Sequence, residues 1–218
     1  MSKLAKVSDL TKVKKVIVIS GASGVGKSTV TRQVRRLKFL EKSIFSVVSF
    51  TTRPIRVDEI SGFDYHFVSH SKFESLIKEN FFLEYDEYAG NYYGTPKKEV
   101  EKFLLSDKQI LLAEANFVGL SAFQNNFGRE SVIGIYLFVS FFLHLKKRRL
   151  ARGDKLVSRT WGFTNREKRD TFDVKNRLTE YDFIIFNDIF LTTLKRVIII
   201  ILMSKVIFLL KQFRKEIK

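Results

Sequence analysis

The sequence predicts a three-layer α/β/α fold with a central parallel sheet, and two observations favour this class. Short β-branched runs alternate with longer helical segments along most of the chain, which is the order of strands joined by crossover helices. The first run, V-I-V-I at 16–19, leads into a glycine-rich turn and then into a segment with few helix breakers. The turn should therefore lie at the carboxyl end of the first strand.

The remaining elements follow in order from the same patterns. Further predicted strands lie at 43–49, 109–112, 132–139 and 183–186. Predicted helices lie at 27–37, 72–78 and 97–105, with a closing helix that starts near Phe190. The segment 81–94 is rich in tyrosine and has a turn at Gly90-Asn91. It indicates either a half-buried wall of phenols facing a polar ligand or an ordinary aromatic β-hairpin.

Composition bounds the class of protein. The chain has 218 residues, 45% of them apolar, which suits one α/β domain with insertions. Cysteine is absent, which excludes disulfides, thiolate metal sites and cysteine nucleophiles and fits a reducing, cytoplasmic setting. The net charge of +16 is compatible with nucleic acid, an anionic membrane or a polyanionic small molecule as partner. Because the lysines are scattered from Lys3 to Lys218, we favour the small molecule and expect no specific nucleic-acid partner.

The two ends of the chain are expected to be peripheral. Residues 1–14 have lysines but neither arginine nor an apolar core, so they predict a flexible basic tail rather than a targeting signal. Near the other end, the apolar runs 197–203 and 206–210 are separated by Ser204 and Lys205. Together these runs fall short of the ~20 residues that cross a bilayer, so a buried terminal helix is expected and membrane association is not.

The glycine-rich turn carries the strongest chemical signal. Gly21, Gly26, Lys27 and Ser28 satisfy the phosphate-loop pattern G-x-x-x-x-G-K-[ST]. In this pattern backbone N–H groups surround a polyphosphate, the lysine contacts its β and γ oxygens, and the hydroxyl holds Mg²⁺. The following helix adds the partial positive charge of its N-terminus. The alternative is a glycine-rich turn with a fortuitous lysine, but the strand before it and the helix after it favour a nucleotide site.

A second anion site is predicted by Arg53 and Arg56, which follow the predicted strand 43–49 and stand beside two threonines. Guanidinium groups bind a phosphate dianion through paired hydrogen bonds, whereas the alternative is two solvated surface arginines. Glu114 and Asn116 are further candidates, because ligand groups lie just beyond the carboxyl ends of parallel strands.

In this order the features resemble the guanylate kinase family of P-loop nucleoside monophosphate kinases, from about Val16 to Asp188. The stretches that carry the resemblance are G-A-S-G-V-G-K-S-T (21–29), S-F-T-T-R-P-I-R (49–56), G-F-D-Y-H-F-V (62–68), F-L-E-Y (82–85), G-N-Y-Y-G-T (90–95) and F-N-D (186–188). The resemblance implies transfer of the γ-phosphoryl group of ATP to GMP, giving ADP and GDP, with Mg²⁺ as cofactor. It also implies a P-loop NTPase core at 15–48 and 97–218, a GMP-binding insertion at 49–96 and an arginine-rich lid at 141–166.

The resemblance assigns ligand contacts position by position. Residues expected to bind ATP are Gly21, Ala22, Ser23, Gly24, Val25, Gly26, Lys27, Ser28, Thr29 and Asn187. Those expected to bind GMP are Arg53, Arg56, Tyr65 and Tyr93 at its phosphate, Ser49, Glu84 and Thr95 at guanine, Glu114 at the guanine or ribose side, and Asn116. The chemistry agrees, because guanine offers N1–H and N2–H₂ as neighbouring donors that the Glu84 carboxylate can accept together. Adenine offers no such pair and would leave a buried carboxylate unpaired.

The same resemblance implies how transfer is catalysed. The expected catalytic residues are Lys27, Arg148, Arg152 and Arg166. They would stabilise the transferred phosphoryl group by charge and position, without a covalent nucleophile. Arg149 is the alternative to Arg148, but Arg148 lies four residues before Arg152 and hence on the same helical face. Ser28, the nucleotides and water are expected to hold Mg²⁺, and the chain is expected to act as a monomer or a homodimer.

The chain also departs from the family. The family usually has aspartate where this chain has Asn116, and Val139-Ser140 replaces a proline pair before the lid helix. Loss of a carboxylate would lower turnover, so the alternative function is a guanylate-kinase-like binding module that holds a phosphorylated ligand in the GMP pocket. Such modules usually lack a working phosphate loop. Because this chain keeps Lys27 and Ser28, we favour the enzyme.

Overall fold

Strands and helices alternate along the chain in a computed structural model that describes residues 14–140, 145, 147–148, 176–204 and 206–207. The strands of these residues are β1 (Lys15–Gly21), β2 (Ile44–Ser46), β3 (Phe50–Thr51), β4 (His66–Phe67), β5 (Phe82–Tyr88), β6 (Asn91–Pro96), β7 (Ile110–Glu114), β8 (Val132–Phe138) and β9 (Phe183–Phe186). The α-helices whose bounds lie within the described residues are α1 (Lys27–Arg36), α2 (Lys38–Glu41), α3 (His70–Lys78), α4 (Lys97–Leu105), α5 (Phe117–Phe127) and α6 (Phe190–Leu202). Short 3₁₀ turns lie at Arg129–Ser131 and Leu178–Glu180.

The main sheet has the strand order β2-β7-β1-β8-β9 within the described part of the chain. All of its pairings are parallel, so the carboxyl ends of the strands lie at one edge. The central strand β1 is apolar on both faces, and its residues from Val16 to Ile19 have no exposed surface. A continuous β-branched run is what a strand covered on both sides requires, and the predicted parallel sheet is confirmed.

Helices cover the two faces of this sheet because alternate side chains of β1 point in opposite directions. On one face Ile17 and Ile19 join a core cluster with Val34 of α1 and Val197 of α6. The other face is covered by α4 and α5, through the cluster Val16, Val18, Phe103, Leu120 and Phe123. Burial of each such side chain stabilises the fold by about 1.5–3 kcal/mol. The result is the predicted three-layer arrangement.

A second, smaller sheet with the order β4-β3-β6-β5 is built from residues 50–96. Its own core contains Phe73 of α3 stacked on Phe82, with the ring centroids 4.4 Å apart. Strands β5 and β6 form a hairpin in which Ala89 and Gly90, with φ of 54° and 73°, are the turn residues. The predicted turn at Gly90-Asn91 was wrong by one residue, because a two-residue turn of this type needs positive φ at both positions and Asn91 pairs with Tyr88 instead.

Only part of the predicted strand 43–49 forms a strand, and the chain then continues into the second sheet. Ile44–Ser46 pairs with β7 in the main sheet, and the next strand, Phe50–Thr51, pairs with β4 and β6 in the second sheet. The chain therefore passes from one sheet to the other at 47–49. This crossing places residue 49 and the arginines that follow it at the junction between the sheets.

The ends of the described chain differ from expectation at one point. Lys14, the last residue of the predicted tail, is buried, and its ammonium donates to the carbonyl oxygens of Phe103, Ser106 and Lys108. Residues 1–13, most of the predicted lid at 141–166 and residues 208–218 lie outside the described residues. Among the described helices, none is both long and apolar enough to cross a membrane.

Candidate active site

A cleft at the carboxyl edge of the main sheet extends to the second sheet and contains most of the predicted site residues. Those that line it are Gly21, Ser23, Gly24, Gly26, Lys27, Ser28, Ser49, Arg53, Arg56, Tyr65, Glu84, Tyr93, Glu114 and Asn116. Its two halves come from different sheets, because the glycine-rich loop follows β1 whereas the arginines, tyrosines and Glu84 belong to residues 49–96. The cleft can therefore hold two groups side by side.

The loop between β1 and α1 has a backbone that only glycine adopts easily. Gly21 and Gly26 have φ of 141° and 103°. A Cβ at Gly26 would lie 2.6 Å from Nδ2 of Asn187, and one at Gly21 would lie 2.5 Å from the carbonyl oxygen of Leu137. Helix α1 then starts at Lys27 with neither a capping side chain nor an acidic residue in its first turn. The positive end of its dipole is thus not neutralised by the protein, which suits an anion.

Lys27 and Ser28 stand at the cleft end of this loop. The Lys27 ammonium donates to the carbonyl oxygens of Gly21 and Ala22, so it is held across the mouth of the loop. The Ser28 hydroxyl donates to Oε2 of Glu114 at 2.9 Å, and Thr31 donates to the other oxygen of the same carboxylate. Glu114 ends β7, directly beside Ile19 of β1 in the sheet register. An acidic group therefore lies against the hydroxyl that is predicted to hold Mg²⁺.

Arg53 and Arg56 are oriented by one carboxylate, that of Glu59. Arg53 donates through Nη2 to both Glu59 oxygens, at 2.7 and 3.0 Å, and the backbone N–H of Arg56 donates to Oε2 at 2.9 Å. Nη1 of Arg56 lies 3.8 Å from Oε1. Burial on its own would lower the pKa of the Arg53 guanidinium, but the hydrogen bonds and charge of Glu59 outweigh burial and raise it. Glu59 thus holds both arginines beside the cleft.

Two phenols complete this basic corner. The rings of Tyr65 and Tyr93 meet edge to face with centroids 6.1 Å apart, and the Arg53 guanidinium lies 5.8 Å from the centroid of Tyr65. Burial raises the pKa of Tyr65 well above its ordinary value, and the charge of Glu114 raises it further. Tyr65 is therefore a neutral hydroxyl that can donate a hydrogen bond to an anion.

The second sheet contributes Glu84 to the opposite end of the cleft, where this residue lies against helix α5. It accepts a hydrogen bond of 2.7 Å from the hydroxyl of Thr95, its neighbour across the β5–β6 pairing. Gly119 lets α5 approach, since a Cβ there would lie 3.4 Å from Oε1 of Glu84 and 2.5 Å from the Cβ of Ala115. Burial raises the pKa of Glu84 to about 7, and the charge of Asp86 adds to this rise against the opposing Thr95 hydrogen bond. The site thus holds a carboxyl group that is partly ionised at neutral pH.

Asn116 joins α5 to the hairpin. It is the N-cap residue of α5, and its Oδ1 accepts from the backbone N–H of Gly119 at 3.2 Å. Its Nδ2 donates to Oδ2 of Asp86 on β5. The amide therefore uses both of its ends within the protein while it lines the cleft.

Some predicted residues lie behind the loop instead of lining the cleft. The buried side chain of Asn187 donates to the carbonyl oxygen of Val25 at 2.6 Å, and Arg148 donates to that oxygen at 3.3 Å and to the carbonyl of Asn187 at 3.0 Å. Ala22 and Val25 are in the core, and Thr29 is exposed. Asn187 and Arg148 therefore contact the loop through the carbonyl oxygen of Val25, and the predicted contacts of Asn187, Ala22, Val25 and Thr29 with ATP stay predictions. Arg152 and Arg166 lie outside the described residues.

The cleft also contains residues to which the sequence assigned no individual ligand contact, among them Asp86, Tyr136, Tyr181 and Tyr88, the last a member of the predicted tyrosine wall. Asp86 and Tyr88 share the strand face of Glu84 at intervals of two, so the alternation of β5 was a usable signal. Tyr136 and Tyr181 are buried and pack edge to face with centroids 5.1 Å apart. Nothing local in the sequence marks these two, because the strand order of the main sheet brings them together.

Comparisons with known proteins agree on one family. The family model described as guanylate kinase matches residues 13–203. The chain is 37% identical over 174 residues to a guanylate kinase of Malacoplasma penetrans, an alignment that covers 80% of this chain and 85% of that protein. It is 36% identical over 176 residues to a guanylate kinase of Thermus thermophilus, covering 80% and 74%. The chain belongs to the guanylate kinase family. Enzymes of this family are nucleoside monophosphate kinases that transfer phosphate from ATP to GMP.

A solved guanylate kinase also shares the fold. The crystal structure of guanylate kinase from Anaplasma phagocytophilum superposes with a TM-score of 0.64 at 27% identity, covering 85% of this chain and 83% of that one. The predicted P-loop NTPase fold is therefore confirmed. The cleft described above is lined by both the phosphate loop and the second sheet. A reaction between two nucleotides needs such an arrangement.

Proposed function

We propose that this chain is an active guanylate kinase that transfers the γ-phosphoryl group of ATP to GMP in the cleft between its two sheets. One observation carries the proposal: Lys27 and Ser28 of the phosphate loop line the same cleft as Arg53, Arg56 and Glu84. A phosphoryl acceptor held by the second sheet would meet a donor held by the loop. Family membership supplies the reaction, and the cleft supplies a place for both substrates.

The guanine end of GMP is assigned to Glu84, Thr95 and Ser49. An ionised Glu84 carboxylate can accept from N1–H and N2–H₂ of guanine together, and Thr95 already fixes one of its oxygens at 2.7 Å. Adenine, which lacks these neighbouring donors, would leave the buried carboxylate without a partner. A site built to bind a hydrogen-bonding group rejects analogues that lack it by large factors.

The phosphate end of GMP is assigned to Arg53, Arg56, Tyr65 and Tyr93. Glu59 holds the two arginines without neutralising both, since it is one carboxylate shared between two guanidinium groups. The Tyr65 hydroxyl is neutral at physiological pH, and burial raises its pKa further, so it can donate a hydrogen bond to the phosphate. Guanidinium groups and phenols arranged in this way fix the direction of the acceptor phosphate.

The donor end is assigned to the loop. Backbone N–H groups at 21–29 and the start of α1 would bind the phosphates of ATP, and Lys27 would leave the carbonyls of Gly21 and Ala22 for the β and γ oxygens. Arg148 already touches the loop at Val25, and Arg152 and Arg166 are proposed as its lid partners. These cations stabilise charge on the transferred group by position, and no covalent intermediate with the protein is required.

Mg²⁺ fits the groups at Ser28. Among the described residues no cluster of three or more His, Cys, Asp or Glu side chains could hold a metal ion alone. A site with few protein ligands suits Mg²⁺, because this ion keeps most of its water and is bound through one or two protein oxygens and substrate phosphates. Ser28 would hold the ion, and Glu114 would orient the Ser28 hydroxyl or a metal-bound water. When bound, Mg²⁺ neutralises charge on the β- and γ-phosphates.

The proposal also covers the cellular location and the oligomeric state. We propose that the protein acts in the cytoplasm as a monomer or a homodimer, and the absence of cysteine suits a reducing compartment. Sedimentation at several protein concentrations with and without both nucleotides would decide the oligomeric state.

The deciding experiment measures ADP formation with ATP, Mg²⁺ and GMP, with AMP, CMP and UMP as alternative acceptors. We expect ADP formation with GMP as acceptor but not with AMP, CMP or UMP, and we expect Lys27→Ala to lose this activity. Lys98→Ala, which removes an exposed lysine of α4, is the matched control and should keep full activity. Binding of GMP with no turnover above the Lys27→Ala level would refute the enzyme and support the binding module instead.

A further inference from the structure

Strand β5 presents a second carboxylate to the cleft besides that of Glu84. Side chains alternate between the faces of a strand, and Glu84, Asp86 and Tyr88 all line the cleft. The residues between them, Tyr85 and Glu87, are exposed. Asp86 therefore lies on the same face as Glu84, about 7 Å further along the strand. None of the roles assigned above uses this carboxylate.

Asn116 fixes the position of the Asp86 carboxylate. The Asn116 amide can be oriented in only one way, because its oxygen must accept from the N–H of Gly119 and its nitrogen must donate to a carboxylate. Asn116 is in turn anchored as the N-cap of α5. Asp86 is thus tied to the rigid start of a helix, although it belongs to a hairpin.

The identity of residue 116 follows from the same contact. A carboxylate at 116 could still cap α5, but it would place a second negative charge against Asp86. The amide at 116 and the carboxylate at 86 are complementary. At this corner of the cleft, the negative charge that a ligand meets therefore comes from residue 86, and Asn116 positions it.

Guanine has a hydrogen-bond donor left over for such a group. Its exocyclic N2 carries two hydrogens, and Glu84 can accept only one of them when it also accepts from N1–H. The second N2–H must find another acceptor once guanine is out of water, or the unmade bond costs binding. A carboxylate on the same strand face as Glu84 is in the right direction to accept it.

We propose that Asp86 is a specificity-determining residue that accepts the second N2–H of guanine and so distinguishes GMP from IMP, which lacks the 2-amino group. Asn116 is the positioning residue of this contact. The inference rests on the proposed function, since it needs GMP as acceptor. It adds a second acceptor for the 2-amino group, because Glu84 takes one N2–H of guanine and Asp86 takes the other, and IMP can make neither contact.

The test compares kcat/KM for GMP, IMP and 2′-deoxy-GMP in the wild-type protein, Asp86→Ala, Asp86→Asn and the control Glu87→Ala. We expect both Asp86 variants to lose about tenfold to a hundredfold with GMP and to change little with IMP, so that the preference for GMP over IMP falls by the same factor. 2′-Deoxy-GMP should fall in parallel with GMP, and Glu87→Ala should match the wild type. An unchanged KM for ATP in the nearly isosteric Asp86→Asn would show that the fold is intact.

Two results would overturn the inference. Equal losses with GMP and IMP would mean that Asp86 supports the hairpin without reading the base. A change in the ratio of GMP to 2′-deoxy-GMP would move the contact to the ribose 2′-hydroxyl. Absence of GMP turnover in the wild-type protein would instead overturn the proposed function, so the two failures are distinguishable.

Discussion

The carboxylate of Glu114 accepts a hydrogen bond of 2.9 Å from the hydroxyl of Ser28, so the end of β7 contacts the serine of the phosphate loop. The resemblance implied a role for Glu114 on the guanine or ribose side of GMP. In the structure this carboxylate lies on the loop side, where it also accepts from the hydroxyl of Thr31 in α1. This position favours a role in organising the cation over a contact with the base.

Replacing Glu114 by glutamine is therefore expected to weaken the response to Mg²⁺. The amide keeps the size of the side chain but removes the charge beside Ser28. Loss of a group that orients a metal ligand typically costs 10–100-fold in metal affinity or activity. The Mg²⁺ concentration for half-maximal ADP formation should rise by about that factor while KM for GMP changes little. A rise in KM for GMP at an unchanged Mg²⁺ requirement would instead indicate that Glu114 contacts GMP.

Binding of GMP should improve as pH rises through neutrality, because only the ionised Glu84 carboxylate accepts two hydrogen bonds from guanine. With a pKa of about 7, Glu84 is mostly protonated at pH 6 and mostly ionised at pH 8. KM for GMP should therefore be roughly tenfold higher at pH 6 than at pH 8. The GMP phosphate itself titrates near pH 6, so Glu84→Gln is the matched control, because it keeps that titration and lacks the one at residue 84. Identical pH profiles for the two proteins would contradict the assignment.

The same carboxyl group should make the protein less stable at high pH. Its pKa is raised from 4.5 to about 7 by folding, so its contribution is fully present below pH 4.5 and is lost as pH rises through 7. Glu84→Gln should thus gain stability relative to the wild type between pH 5 and pH 8, by up to about 3 kcal/mol. Urea unfolding at several pH values measures this difference. Glu101→Gln, at an exposed position on α4, should show no such trend. If the free energies of unfolding of Glu84→Gln and the wild type changed in parallel with pH, burial of the ionised Glu84 carboxylate would carry no cost.

The main sheet and the loop could be predicted from the sequence because their signals are local. The run from Val16 to Ile19 is apolar enough to be a central strand, and the glycines, Lys27 and Ser28 follow it at fixed spacing. The strand Phe183–Phe186 and the start of α6 at Phe190 also agree with the predictions. Periodicity and turn chemistry are sufficient where neighbours in sequence decide the structure.

Contacts between distant segments could not be predicted in the same way. The amide at residue 116 could be noted from the sequence, but its contact with Asp86, 30 residues away, depends on how the hairpin packs against α5. Burial of Lys14 was missed because lysine is typical of an exposed tail, and its partners lie 89 to 94 residues later. These features depend on tertiary structure, which overrides local preference.

Gly119→Ala is expected to weaken GMP binding, although alanine has a higher helix propensity than glycine. Alanine would favour α5 by about 1 kcal/mol. Its Cβ, however, would lie 2.5 Å from the Cβ of Ala115 and 3.3 Å from Cδ of Glu84, so the first turn of α5 must shift. A displacement of this kind near a reacting ligand costs roughly 10–100-fold in kcat/KM for GMP, with KM for ATP nearly unchanged. Asn125→Ala, at an exposed position of the same helix, should have no effect, and equal activity of both variants would contradict the packing argument.

Lys14 is expected to stabilise the fold without taking part in catalysis. Its ammonium lies 3.1 Å from the carbonyl oxygen of Phe103 and 2.7 Å from that of Lys108, at the C-terminal end of α4, where a cation also interacts favourably with the helix dipole. Lys14→Met keeps an unbranched side chain but removes the ammonium that donates these hydrogen bonds and lies 4.8 Å from the centroid of the Phe103 ring, which should cost about 1.5–3 kcal/mol. For a chain of this size such a loss lowers Tm by roughly 3–12 °C, and calorimetry or urea unfolding would detect it. The control Lys98→Met removes an exposed lysine from the same helix and should leave Tm unchanged. If Lys14→Met unfolded at the wild-type temperature, the buried ammonium would contribute no net stability, and its three carbonyl partners would be equally well satisfied by water.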